Sequence, residues 1–299
     1  VTAADFKVSV VITSYNHRDY LDEAIRSVMA QTLRPHEILV ADDHSTDGSV
    51  ELIRGYMERH PGWIKGVFQP SNAGIPRNRN AALREATGNF VGILDGDDLF
   101  EPDKLAWQLE ALQRVPGAAV AYGNLQRIDP QGRPLGLHFL EPQPEGDILA
   151  EVAELKFGLL RTLVADAGEV RRAGLLDERF PKFDGYWLSV QLAASCRFAY
   201  THEVMVRKRV HPSAESKFSK RKDKLSDLEG ILRELQPLLA RLDQPRARRI
   251  RRAWERHLHN IRTDFKREGG RRIRGALVGL RWWMRGLLTW REVWERVRR

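Results

Sequence analysis

The chain of 299 residues holds one cysteine, Cys196, which excludes an internal disulfide and any site built on several thiolates. Cys196 stands in an apolar run and is expected to be core. No stretch reaches the roughly 18–20 uninterrupted apolar residues of a membrane span. The N-terminal VTAADF leads straight into a strand pattern without the charged and apolar regions of a signal peptide, so cytoplasmic residence is the expectation. Two glycine signatures are also missing. There is no GxGxxG and no GxxxxGK[ST], which sets aside a dinucleotide Rossmann site and a P-loop. Nucleotidyltransferase chemistry would call for a Gly-rich phosphate loop with a basic residue after the first strand, and SYNHRDY is not one.

Charge of one sign is scarce in the last stretch. Residues 262–299 carry 12 Lys/Arg against 4 Asp/Glu, nearly all of the chain's net +9. The front is close to neutral, which argues against a nucleic-acid-binding catalytic domain and for a tail with its own partner. Apolar residues make up 42% and charged ones 30%, the balance of a soluble globular protein.

What is present is an alternation of strands and helices. KVSVVIT (residues 7–13), EILVA (37–41), residues 63–68 and FVGIL (90–94) are short β-branched or apolar runs separated by helix-period segments. This predicts an α/β fold with a mostly parallel central sheet. Asp19 and Asp47 are expected to cap the first two helices. The first, second and fourth strands end in polar residues: Thr13, Tyr15 and Asn16; Asp42 and Asp43; Asp95 and Asp97. In a parallel sheet those ends share one edge, where ligands of open α/β sheets bind.

The densest chemistry is Asp95-Gly96-Asp97-Asp98. Three carboxylates in four positions repel one another, and a hard divalent cation such as Mg²⁺ or Mn²⁺ is the usual reason to gather them. Gly96 leaves room for a ligand or another backbone. An acidic turn capping the next helix is the plainer alternative.

VSVVITSYN, then LVADDHSTDGS, then NAGIPRNRNAALREATGNFVGILDGDD, taken together and in this order, resemble glycosyltransferase family 2, inverting enzymes of the GT-A (Rossmann-like) fold. The resemblance implies a catalytic domain over residues 1–222 and a helical extension over 223–299. It implies that Thr13, Tyr15 and Asn16 lie against the nucleoside base of a nucleotide-sugar donor, a UDP-sugar first, and that Asp42 or Asp43 bonds base or ribose. Asn72, Gly74, Arg79 and Asn80 would border the donor, with Arg79 on the diphosphate. Asp95 and Asp97 would form the DxD that holds ribose and metal, with Gly96 between them. Family members often have Gly after the paired Asp; here it is His44. In LDERFPKFDGYWLSVQLAA (176–194) the resemblance puts the general base at Asp184, with Phe183 where an acidic residue is expected. An apolar ring there would desolvate Asp184 and raise its pKa. The plainer reading of Asp184 is a cap of the helix that follows, and the two roles are compatible. Arg209 and His211 match the family RxH, one for the diphosphate and one for the metal. Phe183 also keeps open a catalytically inactive relative acting as a sugar-nucleotide-binding or scaffolding subunit.

Beyond the catalytic part, Leu228, Ile231, Leu232, Leu235, Leu238 and Leu239 form a helical stripe that packs on the body or on a second copy, a homodimer. The last segment mixes arginines with Trp282, Trp283, Trp290 and Trp294, a pattern for lying in an anionic membrane interface. The acceptor would then be a glycan or a lipid-linked hydroxyl in envelope polysaccharide or glycolipid synthesis.

Overall fold

In a computed structural model, residue 2 and residues 5–154, 160–211 and 221–268 are described. The β-branched runs form β1 (Val8–Ser14), β2 (Glu37–Asp42), β3 (Ile64–Phe68) and β4 (Phe90–Asp95). They alternate with α1 (Arg18–Met29), α2 (Ser49–Arg59) and α3 (Ile75–Glu85). Then come β5 (Leu99–Phe100), α4 (Lys104–Arg114), β6 (Ala118–Ile128) and β7 (Pro134–Leu137). Next are α5 (Leu149–Ala153), β8 (Val164–Asp166), α6 (Ala167–Arg172), α7 (Asp184–Ala193) and β9 (Arg197–Arg209). Two long helices follow, α8 (Arg221–Leu239) and α9 (Gln244–Glu268).

The strands form one sheet in the order β3-β2-β1-β4-β8-β6-β9-β5, with β7 beside β6. Its first half is parallel, as the alternating pattern predicts. Its second half is mixed: β8 runs antiparallel to β4 and β6, β9 parallel to β6, and β5 antiparallel to β9. The turn at Asp129-Gly132 joins β6 to β7 as an antiparallel pair.

β1, β2 and β4 are buried on both faces, and their residues alternate between two cores. Val10, Ile12 and Ile38 pack with Leu21 and Ile25 of α1, Ile53 of α2 and Leu105 of α4. Val11, Leu39 and Ile93 face the other way, toward Ala82 and Leu83 of α3 and Leu188 of α7. That second core also takes in Leu228, Ile231, Leu235 and Leu239 of α8 and Trp254 of α9. The leucine stripe of α8 therefore lies on the body. The tryptophan-rich segment lies outside the described residues.

The two expected caps differ in detail. Asp19 sits inside the first turn of α1, whose N-cap is His17. Asp47 accepts from the backbone N–H of Arg18 at 2.8 Å and of Ser49 at 3.0 Å. One carboxylate thus serves the starts of both α1 and α2.

Glu37 ties the sheet together on the side away from these loops. Its carboxylate accepts from Ser9 Oγ at 2.6 Å, Lys65 Nζ at 2.7 Å, and the N–H and Oγ1 of Thr87 at 2.6 and 2.7 Å. Burial alone would raise its pKa, but these four donors outweigh burial and bring it down to about 2 from an ordinary 4.5. A lowered carboxylate pKa stabilises the fold in full above the unfolded value and loses that contribution as pH falls through the folded one. Glu37→Gln should cost about 3 kcal/mol in urea unfolding at pH 7, with the gap to wild type closing as pH drops from 4.5 toward 2. A gap that stays constant over that range would refute this assignment.

Candidate active site

The C-terminal ends of β2, β1 and β4 lie side by side. Ser14 is in register with Asp42 and Thr13 with Asp95, so the polar strand ends do share one edge. Each then shapes a loop. Asp42 accepts from Ser45 N–H at 2.8 Å and Ser45 Oγ at 2.6 Å. Asn16 Oδ1 accepts from Thr46 N–H at 2.9 Å, and Asn16 N–H donates to Ser45 Oγ at 2.8 Å. Asn16 and His44 both take left-handed backbone angles, φ 53° and 67°. His44 fills with a side chain the position where family members often have glycine, at the cost of a sparsely populated conformation. Tyr15 is 48% exposed and Asn72 is exposed, both free to meet a ligand.

Asp43 holds the start of α3. Its two oxygens accept from Ala73 N–H at 2.7 Å and Gly74 N–H at 2.9 Å. Gly74 has φ 86° and ψ 160°, a region open essentially to glycine alone. Asp42 thus takes the backbone and hydroxyl of Ser45, and Asp43 takes two backbone N–H groups.

Three consecutive buried polar residues, Asn78-Arg79-Asn80, leave α3 in three directions. Asn78 Nδ2 donates to Ala41 O at 2.9 Å, tying the helix to β2. Asn80 uses both ends of its amide on Leu176, donating to O at 2.8 Å and accepting from N–H at 3.0 Å. That side chain clamps the segment before α7. Arg79 donates through Nη2 to Asp95 Oδ1 at 2.5 Å and through Nη1 to Asp184 Oδ2 at 2.7 Å. The expectation for Arg79 was a diphosphate; the structure gives its guanidinium two carboxylates.

Asp184 is the first residue of α7, and the N-cap is Phe183. It is therefore not the N-cap of that helix. Phe183 packs against the core, and Asp184 is ion-paired with the Arg79 guanidinium at 2.7 Å.

Asp95, Asp97 and Asp98 can each place an oxygen within 4.8 Å of the others. Asp95 Oδ1 also accepts from Thr13 Oγ1 at 3.2 Å. Burial would push Asp95 up, but the guanidiniums of Arg161 and Arg79 outweigh it and hold it far below the usual carboxylate range. Asp97 meets His211 Nε2 at 2.9 Å; this hydrogen bond overcomes burial and holds Asp97 low as well. Asp98 goes the other way. Burial and the neighbouring charges of Asp97 and Asp95 push it up to about 8, against the pull of Arg161. Asp98 Oδ1 accepts from Arg209 N–H at 2.9 Å, while its buried Oδ2 receives no aligned hydrogen bond. Hard oxygen donors at this spacing fit a Mg²⁺- or Mn²⁺-sized cation.

The resemblance puts Arg209 on the diphosphate. Its guanidinium donates to Pro130 O at 2.7 Å and to Glu23 at 2.5 Å, and lies over the Tyr20 ring at 4.8 Å. It anchors the end of β9, and with it His211. Arg161 was missed by the sequence reading. Its Nη2 pairs with Asp95 Oδ2 and its Nε lies 3.0 Å from Asp98 Oδ2. A lone arginine inside the apolar run FGLLRTLVA was the available signal, since a charge there needs a buried partner.

Gly96 makes room for another backbone. Its N–H donates to Thr13 O at 2.7 Å, and a Cβ there would stand 2.9 Å from that oxygen and 3.0 Å from His17 Nδ1. Gly96→Ala should destabilise the protein by about 1–3 kcal/mol in chemical denaturation. Wild-type stability in that variant would show that the loop has room to spare.

The family model described as Glycosyl transferase family 2 matches residues 9–157. An uncharacterized glycosyltransferase of Nostoc sp. is 35% identical over 175 residues, 58% of this chain and 53% of that protein. The putative teichuronic acid biosynthesis glycosyltransferase TuaG of Bacillus subtilis is 36% identical over 137 residues, 46% of this chain and 53% of TuaG. The chain spans about half the length of these curated relatives. Among solved structures, S. aureus TarS 1–349 in complex with UDP-GlcNAc superposes with a TM-score of 0.66 at 19% identity, covering 88% of this chain and 74% of that one. The mannosyltransferase PcManGT of Pyrobaculum calidifontis, in complex with GDP-Man and Mn²⁺, gives 0.61 at 18% identity, covering 96% and 82%. The fold is that of the GT-A glycosyltransferases, and residues 9–157 form a glycosyltransferase family 2 domain.

Proposed function

We propose that this chain is a metal-dependent inverting glycosyltransferase that moves a sugar from a nucleotide-sugar donor to an acceptor hydroxyl. The observation that carries this is the single cleft edge at which Arg79 joins Asp95, at the end of β4, to Asp184, at the start of α7. Donor-side and acceptor-side groups are thereby held in one buried constellation. Structural neighbours in complex with UDP, UDP-GlcNAc or GDP-Man support a nucleoside-diphosphate sugar as donor, with UDP-sugars the first to try.

In this reading the exposed Tyr15 ring stacks on the base, and the loop shaped by Asp42, Asn16 and Ser45 surrounds the nucleoside. Asp95, Asp97 and His211 would hold a divalent cation, with Asp98 Oδ2 in reach; when bound, the cation offsets charge building on the leaving diphosphate. His211 is oriented by its bond to Asp97 and by the Tyr20 ring 4.9 Å away. Asp184 accepts the proton of the acceptor hydroxyl as the oxygen attacks the anomeric carbon. The new carbon–oxygen bond forms on the face opposite the diphosphate as the old one breaks, so configuration inverts and no covalent enzyme intermediate is needed. Arg79 fixes the Asp184 carboxylate through its 2.7 Å contact with Oδ2.

A glycan or lipid-linked acceptor in envelope polysaccharide synthesis is favoured by the likeness to TuaG, whose name places it in teichuronic acid biosynthesis. Among the described residues no helix is long and apolar enough to cross a membrane. Peripheral attachment through the basic, tryptophan-rich segment at residues 271–299 would bring the enzyme to such an acceptor.

Asp184→Asn should lower sugar transfer by about 10²–10⁴-fold while leaving donor binding, read by thermal shift with UDP-sugars and Mn²⁺, within about threefold of wild type. Retained transfer in that variant would remove Asp184 as base. A wild-type protein that binds the donor yet transfers to no acceptor would favour a sugar-nucleotide-binding subunit.

A further inference from the structure

The guanidinium of Arg161 stands on two oxygens of the carboxylate cluster. Nη2 pairs with Asp95 Oδ2, and Nε is 3.0 Å from Asp98 Oδ2. The other oxygens of these two residues are spent elsewhere. Asp95 Oδ1 takes Thr13 and Arg79, and Asp98 Oδ1 takes the Arg209 N–H. A cation held by Asp95 or Asp98 therefore needs the oxygens that Arg161 covers, and like charges cannot share them.

Of the two arginines at the cluster, Arg161 is the one built to leave. The Arg79 side chain is 6% exposed and gripped by carboxylates at both ends of its fork. The Arg161 side chain is 33% exposed. Its attachment to the fold is firm nonetheless. The carbonyl of the next residue, Thr162, accepts from Gln108 Nε2 at 2.7 Å and from Lys104 Nζ at 3.4 Å, and both of these side chains come from the buried face of α4. Lys104 Nζ is itself fixed by Gln108 Oε1 at 2.6 Å and by the Phe100 ring, 4.5 Å away. A long side chain hung from a pinned backbone can turn without disturbing the strand that follows.

We propose that Arg161 is a built-in counter-cation of the carboxylate cluster. The arriving divalent metal displaces it, and its guanidinium then pairs with the donor's diphosphate. The inference rests on the metal-dependent reading above. It gives one arginine two jobs: it satisfies buried carboxylates before the donor binds, and it adds a planar fork matched to phosphate oxygens afterwards. Metal and donor binding are then coupled through a side chain that each affects in the same direction.

Calorimetric titration of the full chain with Mn²⁺ alone tests the exchange without recourse to activity. Arg161→Ala should bind Mn²⁺ about tenfold more tightly than wild type, because the competing cation is gone, and should bind UDP about tenfold more weakly at saturating Mn²⁺. Its melting point without metal should fall, and the rise on adding Mn²⁺ should exceed that of wild type. Arg161→Lys keeps the charge and loses the fork, so it should resemble wild type toward Mn²⁺ and the alanine variant toward UDP. Should Arg161→Ala not fold without metal, Arg161→Gln is titrated in its place with the same expectations. Mn²⁺ affinity equal to or weaker than wild type in the neutral variants overturns the proposal. Asp97→Asn is the separate control: if it binds Mn²⁺ as wild type does, the metal site itself is misassigned and both readings fall.

Discussion

One buried guanidinium holds this molecule's chemistry in place. Arg79 leaves α3 with almost no exposure and spans Asp95 at the end of β4 and Asp184 at the head of α7. A charge so far from water is tolerated only when paired on its donor directions, and removing one partner leaves another ion stranded. Much of the surrounding architecture keeps this arginine where it is. Asp43 and Gly74 fix the start of α3, Asn78 fixes its face against β2, and Asn80 fixes its neighbour segment at Leu176. Side chains expected at the donor thus form a frame that aims the few groups left to meet it.

The C-terminal helices belong to the same frame. Asp227 of α8 accepts from the Lys182 backbone N–H at 2.8 Å, just ahead of Asp184. Gly230 of that helix lies so close to the Phe180 ring that a Cβ would meet it at 2.5 Å. On α9, Trp254 Nε1 donates to Ala153 O at 2.8 Å, the same carbonyl that takes the Tyr186 hydroxyl at 3.2 Å. The extension therefore braces α7, and with it the proposed base, in addition to whatever its basic continuation meets.

How much of this was legible in the sequence follows from range. β1, β2 and β4 announce themselves through continuous β-branched runs, and their polar ends could be placed on one edge because parallel pairing leaves little choice. The Asp cluster, Asp184 and His211 could be picked out by resemblance to the family. The mixed half of the sheet could not be read: β8 is three residues long and β5 two, too short for a period to show. Arg161 was hidden for the same reason, in a stretch with no periodicity of its own. Partner choice was the other blind spot. Nothing local tells that Arg209 turns to Pro130 and Glu23, or that Asn80 turns to Leu176, since those partners are 79, 186 and 96 residues away. A motif names the residues at a site, and the tertiary structure decides which of them face the ligand.

The central claim is that the Arg79 link couples the donor edge to the base helix. A double-mutant cycle on Arg79→Gln and Asp184→Asn, read as unfolding free energy in urea, measures that link directly. The account predicts a coupling of at least about 1 kcal/mol, because Arg79→Gln leaves the buried Asp184 without its cation and Asp184→Asn removes that same ion pair, so the double change does not add the two losses. Additive effects, with coupling indistinguishable from zero, would contradict it.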